Sequence, residues 1–302
     1  RGVQRVKVVQ IPDALRQDLL SKLDAARLPN YRTHVKSFSR RSVAIVENTV
    51  KKFEMEHVFN ELHTTGEETA VLIKGLPVDR IIHETPTDGS RSMKKKGQVI
   101  EALLIALGQS LTGGMPIGYS FEKGYSDPFI HEGFVREGGS ALTVGTALAF
   151  HADMGYLRQP SLVPNFLGLF GVREGLDRKV TTEILDNRDI LRFVPAETQK
   201  ALRQPHFIIR IPQGVPIGKT NKNQSRIRPL LTGSASTPTI ALPPSEGNVF
   251  GVDKVGHRAL KILREAIDQA KRFGFVHRVH LMPGDLLLFD NRRVLHSRSA
   301  VR

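Results

Sequence analysis

The sequence predicts a mainly β protein, a sandwich or barrel with flanking helices, and three observations carry that prediction. From about residue 113 onward, short apolar stretches recur between segments rich in Gly and turn residues. Few helical patterns separate these stretches, which argues against a parallel βαβ sheet. Helical periodicity falls mostly before residue 112, with one later insertion.

Taken in chain order, "DALRQDLLSKLDAAR" (13–27) is expected to be a helix with Leu15, Leu19 and Leu23 on one face and Asp13 as its cap. "ETAVLIKGLP" (68–77) reads as a short buried strand stopped by Gly-Leu-Pro. A second helix runs from Gly97 to Leu111, its stripe formed by Val99, Leu103, Ala106 and Leu107. The Gly-rich stretch from residue 113 leads into the expected strands "ALAFHADM", "NFLGLFGVR", "KVTTEIL", "HFIIRIP", "TIALP" and "GDLLLFDN". Residues 256–272 form the helical insertion, with Leu260, Leu263, Ile267 and Ala270 on one face. The expected organisation is a single domain over 1–302, in which a helical part (1–112) packs on a core (113–302).

Composition narrows the function classes. The chain has 302 residues, 40% hydrophobic and 25% charged, which suits a globular protein. No run approaches the roughly 18 apolar residues of a membrane span, and "VIEALLIAL" is interrupted by Glu101. The start lacks a signal-peptide pattern and does not begin with Met, so an N-terminal segment is expected to be missing. There is no cysteine, which fits a reducing compartment and a cytoplasmic location, and leaves any metal to His and carboxylates. The net charge of +14 suits anionic partners or simply a solvated basic surface. With no Trp and 6% aromatic residues, a stacking platform for single-stranded nucleic acid is disfavoured.

His151 and Asp153 stand two apart in "ALAFHADM", so on a strand they point the same way. Ala147 and Ala149 share their face and leave room for an ion, whereas Leu148 and Phe150 face the core. The alternative is a surface strand with a polar edge. In "MPGDLLLFDNRRVLHSR", Val294, His296 and Arg298 alternate on one face. If the two strands are neighbours, His296 completes a site of two His and one carboxylate. Such a set leaves positions open, as non-haem Fe(II) needs for a co-substrate and O₂, whereas zinc favours a closed tetrahedron. His57, His63, His131, His206, His257, His277 and His280 lack a carboxylate at such spacing and are expected to be structural.

These motifs resemble the Fe(II)/2-oxoglutarate-dependent oxygenases of the taurine dioxygenase superfamily, in the branch of clavaminate synthase and the amino-acid hydroxylases. "GMPIGYSFEKG", "GTALAFHADMGY", "PNFLGLFGVREG", "RPLLTG" and "PGDLLLFDNRRVLHSR" follow the family's order, and the likeness spans about residues 65–302. The resemblance implies a double-stranded β-helix (jelly-roll) core, with His151, Asp153 and His296 as iron ligands. It also implies 2-oxoglutarate as co-substrate and hydroxylation of an unactivated C–H in an amino acid or a molecule derived from one. The family's amino-acid hydroxylases mostly carry Glu at the position of Asp153. Related halogenases have a small residue there, so Asp153 points to hydroxylation or desaturation.

Thr181 or Thr182 is expected to help hold 2-oxoglutarate; they face opposite ways, and parity alone does not choose between them. Arg298, expected to pair with Asp290, and Arg302 are weaker candidates for the same role. In the family the Arg that grips the distal carboxylate lies a dozen or more residues past the distal His, hence beyond Arg302. The resemblance further implies a lid over about 213–250. No acidic residue falls between Glu197 and Glu246, while Lys200, Arg203, Arg210, Lys219, Lys222, Arg226 and Arg228 do. Thr146, Arg226 and Arg228 are the expected substrate-facing residues, and the substrate is expected to be a polar or anionic small molecule rather than free Arg or Lys. A solvated basic loop is the plain alternative. Two other readings compete: a non-catalytic β-barrel binding protein, and an oxygenase acting on nucleic acid, for which "MKKKG" (93–97) is part of the motive.

Overall fold

The computed structural model describes residues 5–55, 67–84, 92, 94–118, 129–130, 148–155, 157, 163–174, 180–210 and 224–299. The first strand, β1, spans Val6–Gln10 and is followed by helix α1 (Asp13–Ala25). Leu15, Leu19 and Leu23 are its buried stripe, as their spacing requires. Pro12, not Asp13, sits at the cap; Asp13 is already helical and pairs with Arg16 at 3.0 Å. Helix α2 (Val35–Lys52), strand β2 (Ala70–Lys74) and helix α3 (Val99–Thr112) come next. They lead to β3 (Leu148–His151), β4 (Phe166–Phe170) and β5 (Thr182–Asp186). Two short helices follow, α4 (Asn187–Leu191) and α5 (Ala196–Leu202), then β6 (Phe207–Ile209). The chain continues through β7 (Leu231–Gly233), β8 (Pro238–Ile240), β9 (Val249–Gly251) and α6 (Lys254–Arg272). Strands β10 (His277–Val279), β11 (Leu286–Asp290) and β12 (Val294–Arg298) complete the described elements.

Eight of these strands build two facing sheets, ordered β1-β2-β11-β4 and β10-β5-β12-β3. Only β1 and β2 pair in parallel within them, because helices α1 and α2 form the crossover between them. Side-chain alternation then sorts the apolar residues into three layers. Val6, Ala70, Leu72, Leu287 and Phe289 from the first sheet meet Ile184, Val279 and Val294 from the second. Val71, Ile73, Leu286 and Leu288 point outward beneath α1, α2 and α3. Phe150, Leu185 and Leu295 point out of the second sheet, into a core shared with α6. Strand β11 is thus buried on both faces, which is why its sequence is an unbroken apolar run.

The N-terminal part is more than helical, since β1 and β2 supply half of the first sheet. The segment expected as a lid is described from residue 224. From there to residue 250, Leu230, Leu231, Ile240, Ala241, Leu242 and Val249 are core residues, so this part is a packed wall. Residues 211–223 lie outside the described residues.

The turn into β11 depends on Gly284. Its φ is +86°, and a Cβ there would stand 2.3 Å from the Leu76 carbonyl oxygen. Its own carbonyl accepts from Leu76 N and its N–H donates to Gly171 O, so the turn has no room to relax. Gly284→Ala is expected to lower stability by about 1–3 kcal/mol, read from the urea midpoint at unchanged slope.

Candidate metal centre

Strands β3 and β12 are neighbours, and their register sets His151 directly opposite His296. Directly paired residues share a face, so both imidazoles enter the space between the sheets. The rings lie 4.1 Å apart between centroids, and the Phe289 ring of the opposite sheet lies 5.0 Å from His296. His151 is 4% exposed and His296 9%.

Asp153 reaches the same point by another route. Strand β3 ends at His151, and Asp153 opens a turn in which Met154 takes φ 57°. The expected strand parity therefore does not place its side chain. The turn brings Asp153 Oδ1 to 3.1 Å from His151 Nε2 and 3.7 Å from His296 Nε2. The Asn291 side chain holds the peptide of Asp153 from both sides: Asp153 N–H donates to Oδ1 at 2.8 Å, and Nδ2 donates to the Asp153 carbonyl at 2.9 Å.

Electrostatics prepare the two imidazoles differently. His151 Nδ1 lies 2.8 Å from the Ala149 carbonyl, which fixes the proton on Nδ1 and turns Nε2 toward Asp153. Burial opposes the charge on His151, but the hydrogen bond and charge of Asp153, with backbone carbonyls, outweigh it and raise its pKa. Burial, then the neighbouring His151, hold the His296 pKa down to about 3, so His296 stays neutral. In this coupled pair, His151 is the ring that takes a proton.

The donor set fits a divalent transition metal. One ligand atom from each of the three side chains lies within 4.8 Å of the others, and no other such group occurs among the described residues. Ligand bonds of about 2.0–2.2 Å at right angles separate donor atoms by about 3 Å. The 3.1 and 3.7 Å separations already approach that value. His296 Nδ1 is buried without a hydrogen-bond partner among the described residues.

The other expected residues divide. Thr182 is directly opposite Arg298 across β5 and β12, and both share the face of His296 by two-residue alternation. Thr181 lies one residue before β5, its N–H donating to Ser299 Oγ at 2.9 Å and its carbonyl accepting from Ser299 N. The ladder thus sets the face of Thr182 but not that of Thr181. Arg298 does not take Asp290: Arg292 does, with contacts of 3.1 and 2.9 Å two residues along the same turn. Burial lowers the Arg298 pKa. Arg226 is exposed, whereas Arg228 is half-buried and donates to the Gly155 carbonyl at 3.0 Å. Thr146 and Arg302 lie outside the described residues, as do His57, His63 and His131.

Among the remaining histidines, His206 bonds Asp253 at 2.7 Å, a carboxylate 47 residues away that spacing does not reveal. His257 bonds the Asp253 carbonyl and His280 the Val180 carbonyl. Asn291 is the residue of the site that sequence reasoning missed. An Asn between two strands suits an ordinary turn, and nothing local shows a partner 138 residues away.

Comparison with known proteins agrees with this geometry. Residues 101–302 match the family described as "Taurine catabolism dioxygenase TauD, TfdA family". Clavaminate synthase 2 of Streptomyces clavuligerus is 28% identical over 243 residues, covering 78% of this chain and 69% of that protein. L-asparagine oxygenase of Streptomyces coelicolor is 25% identical, covering 78% of this chain and 66% of that one. Among solved structures, asparagine oxygenase in complex with Fe(II), 3-hydroxyasparagine and succinate superposes with a TM-score of 0.77 at 20% identity, covering 98% of this chain and 88% of that one. The non-haem iron oxygenase OrfP with Fe and alpha-ketoglutaric acid gives a TM-score of 0.72 at 20% identity, covering 98% and 89%. The fold is shared with both structures, and the family match spans two thirds of the chain: it belongs to the TauD/TfdA family of dioxygenases.

Proposed function

We propose that the chain is a non-haem Fe(II)- and 2-oxoglutarate-dependent dioxygenase that hydroxylates an unactivated C–H of an amino acid or of a small molecule derived from one. The observation that carries this reading is the convergence of His151 and Asp153, at and just past the end of β3, with His296 on β12. In this reading the two facing sheets are the jelly roll, and these three side chains are the iron ligands. The relatives named above support the substrate class: clavaminate synthase, and oxygenases whose structures hold hydroxyasparagine or hydroxyarginine.

Bound Fe(II), with 2-oxoglutarate as co-substrate, supplies the activation of O₂ for which no side chain has the chemistry. The chain contributes position and environment. His151, Asp153 and His296 would hold the metal through two imidazole nitrogens and one carboxylate oxygen, a set that would leave positions for co-substrate and O₂. Phe289, 5.0 Å from the His296 ring, and Ile184, opposite His296 across β5 and β12, are both fully buried and give that ring a dry surrounding. That Thr182 and Arg298 share the face of His296 supports a role for them in receiving a carboxylate of 2-oxoglutarate, a task to which Arg is suited by its fork of donors. Arg228 holds the turn that carries Asp153, while Arg226 is open to a substrate.

The absence of acidic residues between Glu197 and Glu246 supports a substrate held through a carboxylate or other anionic group. The nucleic-acid reading loses part of its motive. Lys95 of the "MKKKG" run is sunk between Asp79 at 3.2 Å and Glu101 at 2.7 Å. No helix among the described residues is long and apolar enough to cross a membrane.

Succinate formation across a panel of amino acids, with and without Fe(II), tests the proposal. The expected result is iron-dependent succinate release stimulated by a neutral or acidic amino acid or a derivative of one. Strong turnover of free Arg or Lys would overturn the substrate preference. No 2-oxoglutarate consumption under any condition would leave the binding-protein reading.

A further inference from the structure

The three ligands are not equally anchored. His151 and His296 stand in a β-ladder, held by the pairing of β3 with β12. Asp153 stands two residues past the end of β3, in a turn, with its side chain 42% exposed. Past the ladder, Ala152 N–H donates to the Leu242 carbonyl at 3.0 Å, and the backbone of Asp153 itself is met by a side chain. Asn291 is 1% exposed and meets the Asp153 peptide as a β-partner would, accepting from its N–H at 2.8 Å and donating to its carbonyl at 2.9 Å. Its second amide hydrogen goes to the Pro164 carbonyl at 2.9 Å, and its own backbone N–H to the Asn165 carbonyl at 2.9 Å. Both donors and the acceptor of the amide are used, so one orientation is fixed. Asn291 also lies in the three-residue link between β11 and β12, five residues before His296.

From this arrangement we infer that Asn291 is the positioning residue of the metal centre. It extends the β3 ladder by a side chain and ties the Asp153 backbone, and through it the position from which the carboxylate projects, to the connection that carries His296. The inference rests on reading the triad as a metal site. Groups that orient ligands change metal affinity, whereas a residue needed only for packing changes stability.

Co(II) is the probe, titrated into the folded metal-free protein while its visible ligand-field spectrum is followed. Four proteins are compared: the parent, Asn291→Ala, Asp153→Ala and the double variant. Asn291→Ala is expected to weaken Co(II) binding about 10- to 100-fold. Because Asn291 acts through Asp153, adding Asn291→Ala to Asp153→Ala is expected to cost no more than about 2-fold further. Co(II) affinity unchanged in Asn291→Ala would overturn the inference, and so would an equal loss in the absence of the Asp153 carboxylate. If far-ultraviolet circular dichroism shows Asn291→Ala unfolded, Asn291→Ser is measured by the same criteria, its hydroxyl retaining one bond to the Asp153 peptide. A parent protein that binds no Co(II) would instead overturn the metal site of the proposed function, an outcome distinct from any effect of Asn291.

Discussion

His296→Ala is expected to abolish Fe(II)-dependent activity and to weaken metal binding by more than the 10- to 100-fold range typical of residues that merely support a ligand. The imidazole is buried, neutral and turned toward Asp153 and His151, and no other metal-binding group among the described residues replaces its nitrogen. His206→Ala is the control. That ring pairs with Asp253 at the start of α6 and belongs to no metal-binding group among the described residues, so metal affinity should not change. Isothermal titration with Co(II) reads both. An unchanged affinity in His296→Ala would remove the site.

The same titration has a pH dependence of known sign. In the metal-free protein, Asp153 and the backbone carbonyls raise the His151 pKa against the opposing effect of burial, so a proton occupies that ring to higher pH than usual. A metal must displace this proton. Affinity is therefore expected to fall as pH drops through the His151 titration, with proton release on binding that His151→Ala removes.

Phe289→Ala is expected to cost about 3–5 kcal/mol, the usual range for deleting a fully buried aromatic ring. Phe289 has no exposed surface and fills the space between the sheets among Leu72, Leu287, Ile184 and Val294. Urea denaturation of the metal-free protein gives the number. The cavity opens beside His296, whose ring is 5.0 Å away, so metal affinity should fall as well. Leu263→Ala in α6, a core site in the separate outer cluster, should lower stability by about 2–5 kcal/mol and leave the affinity of the folded protein unchanged. A stability loss under 1 kcal/mol for Phe289→Ala would mean that the interior between the sheets is not the packed layer described.

Much of this was legible where periodicity and burial agree. The stripes of α1, α3 and α6 and the apolar run of β11 lie where their residues predict. Helix α2 was hidden because its buried face mixes Phe38, Val46 and Val50 with Ser39, Ser42 and Thr49. Such polar residues break an apolar pattern, yet Thr49 is satisfied locally by the Ile45 carbonyl at 2.6 Å. Strand β1 was hidden for a different reason: its partner β2 lies about 60 residues away, and "VKVVQ" alone is too short to declare a sheet. At the site, the three candidate ligands singled out by residue type and family motif converge, and the pairing of His151 with His296 matches the neighbouring strands expected for them. The end of β3 at His151, the turn that redirects Asp153, the pairing of Thr182 with Arg298 and the loss of Asp290 to Arg292 all depend on partners distant in sequence or on where a ladder stops.

The placement of β11 and β12 has a consequence for how the molecule comes into being on the ribosome. Each lies inside its sheet, β11 between β2 and β4 and β12 between β5 and β3. Until residues 286–298 have emerged, β2 has no β4-side neighbour, β5 and β3 are not joined, and the two histidines have not met. The nascent chain thus carries unpaired strand edges until that point, the state in which chaperone capture and misassembly compete with folding. The β11–β12 hairpin is the zip fastener of both sheets, and the three candidate ligands come together only after it closes.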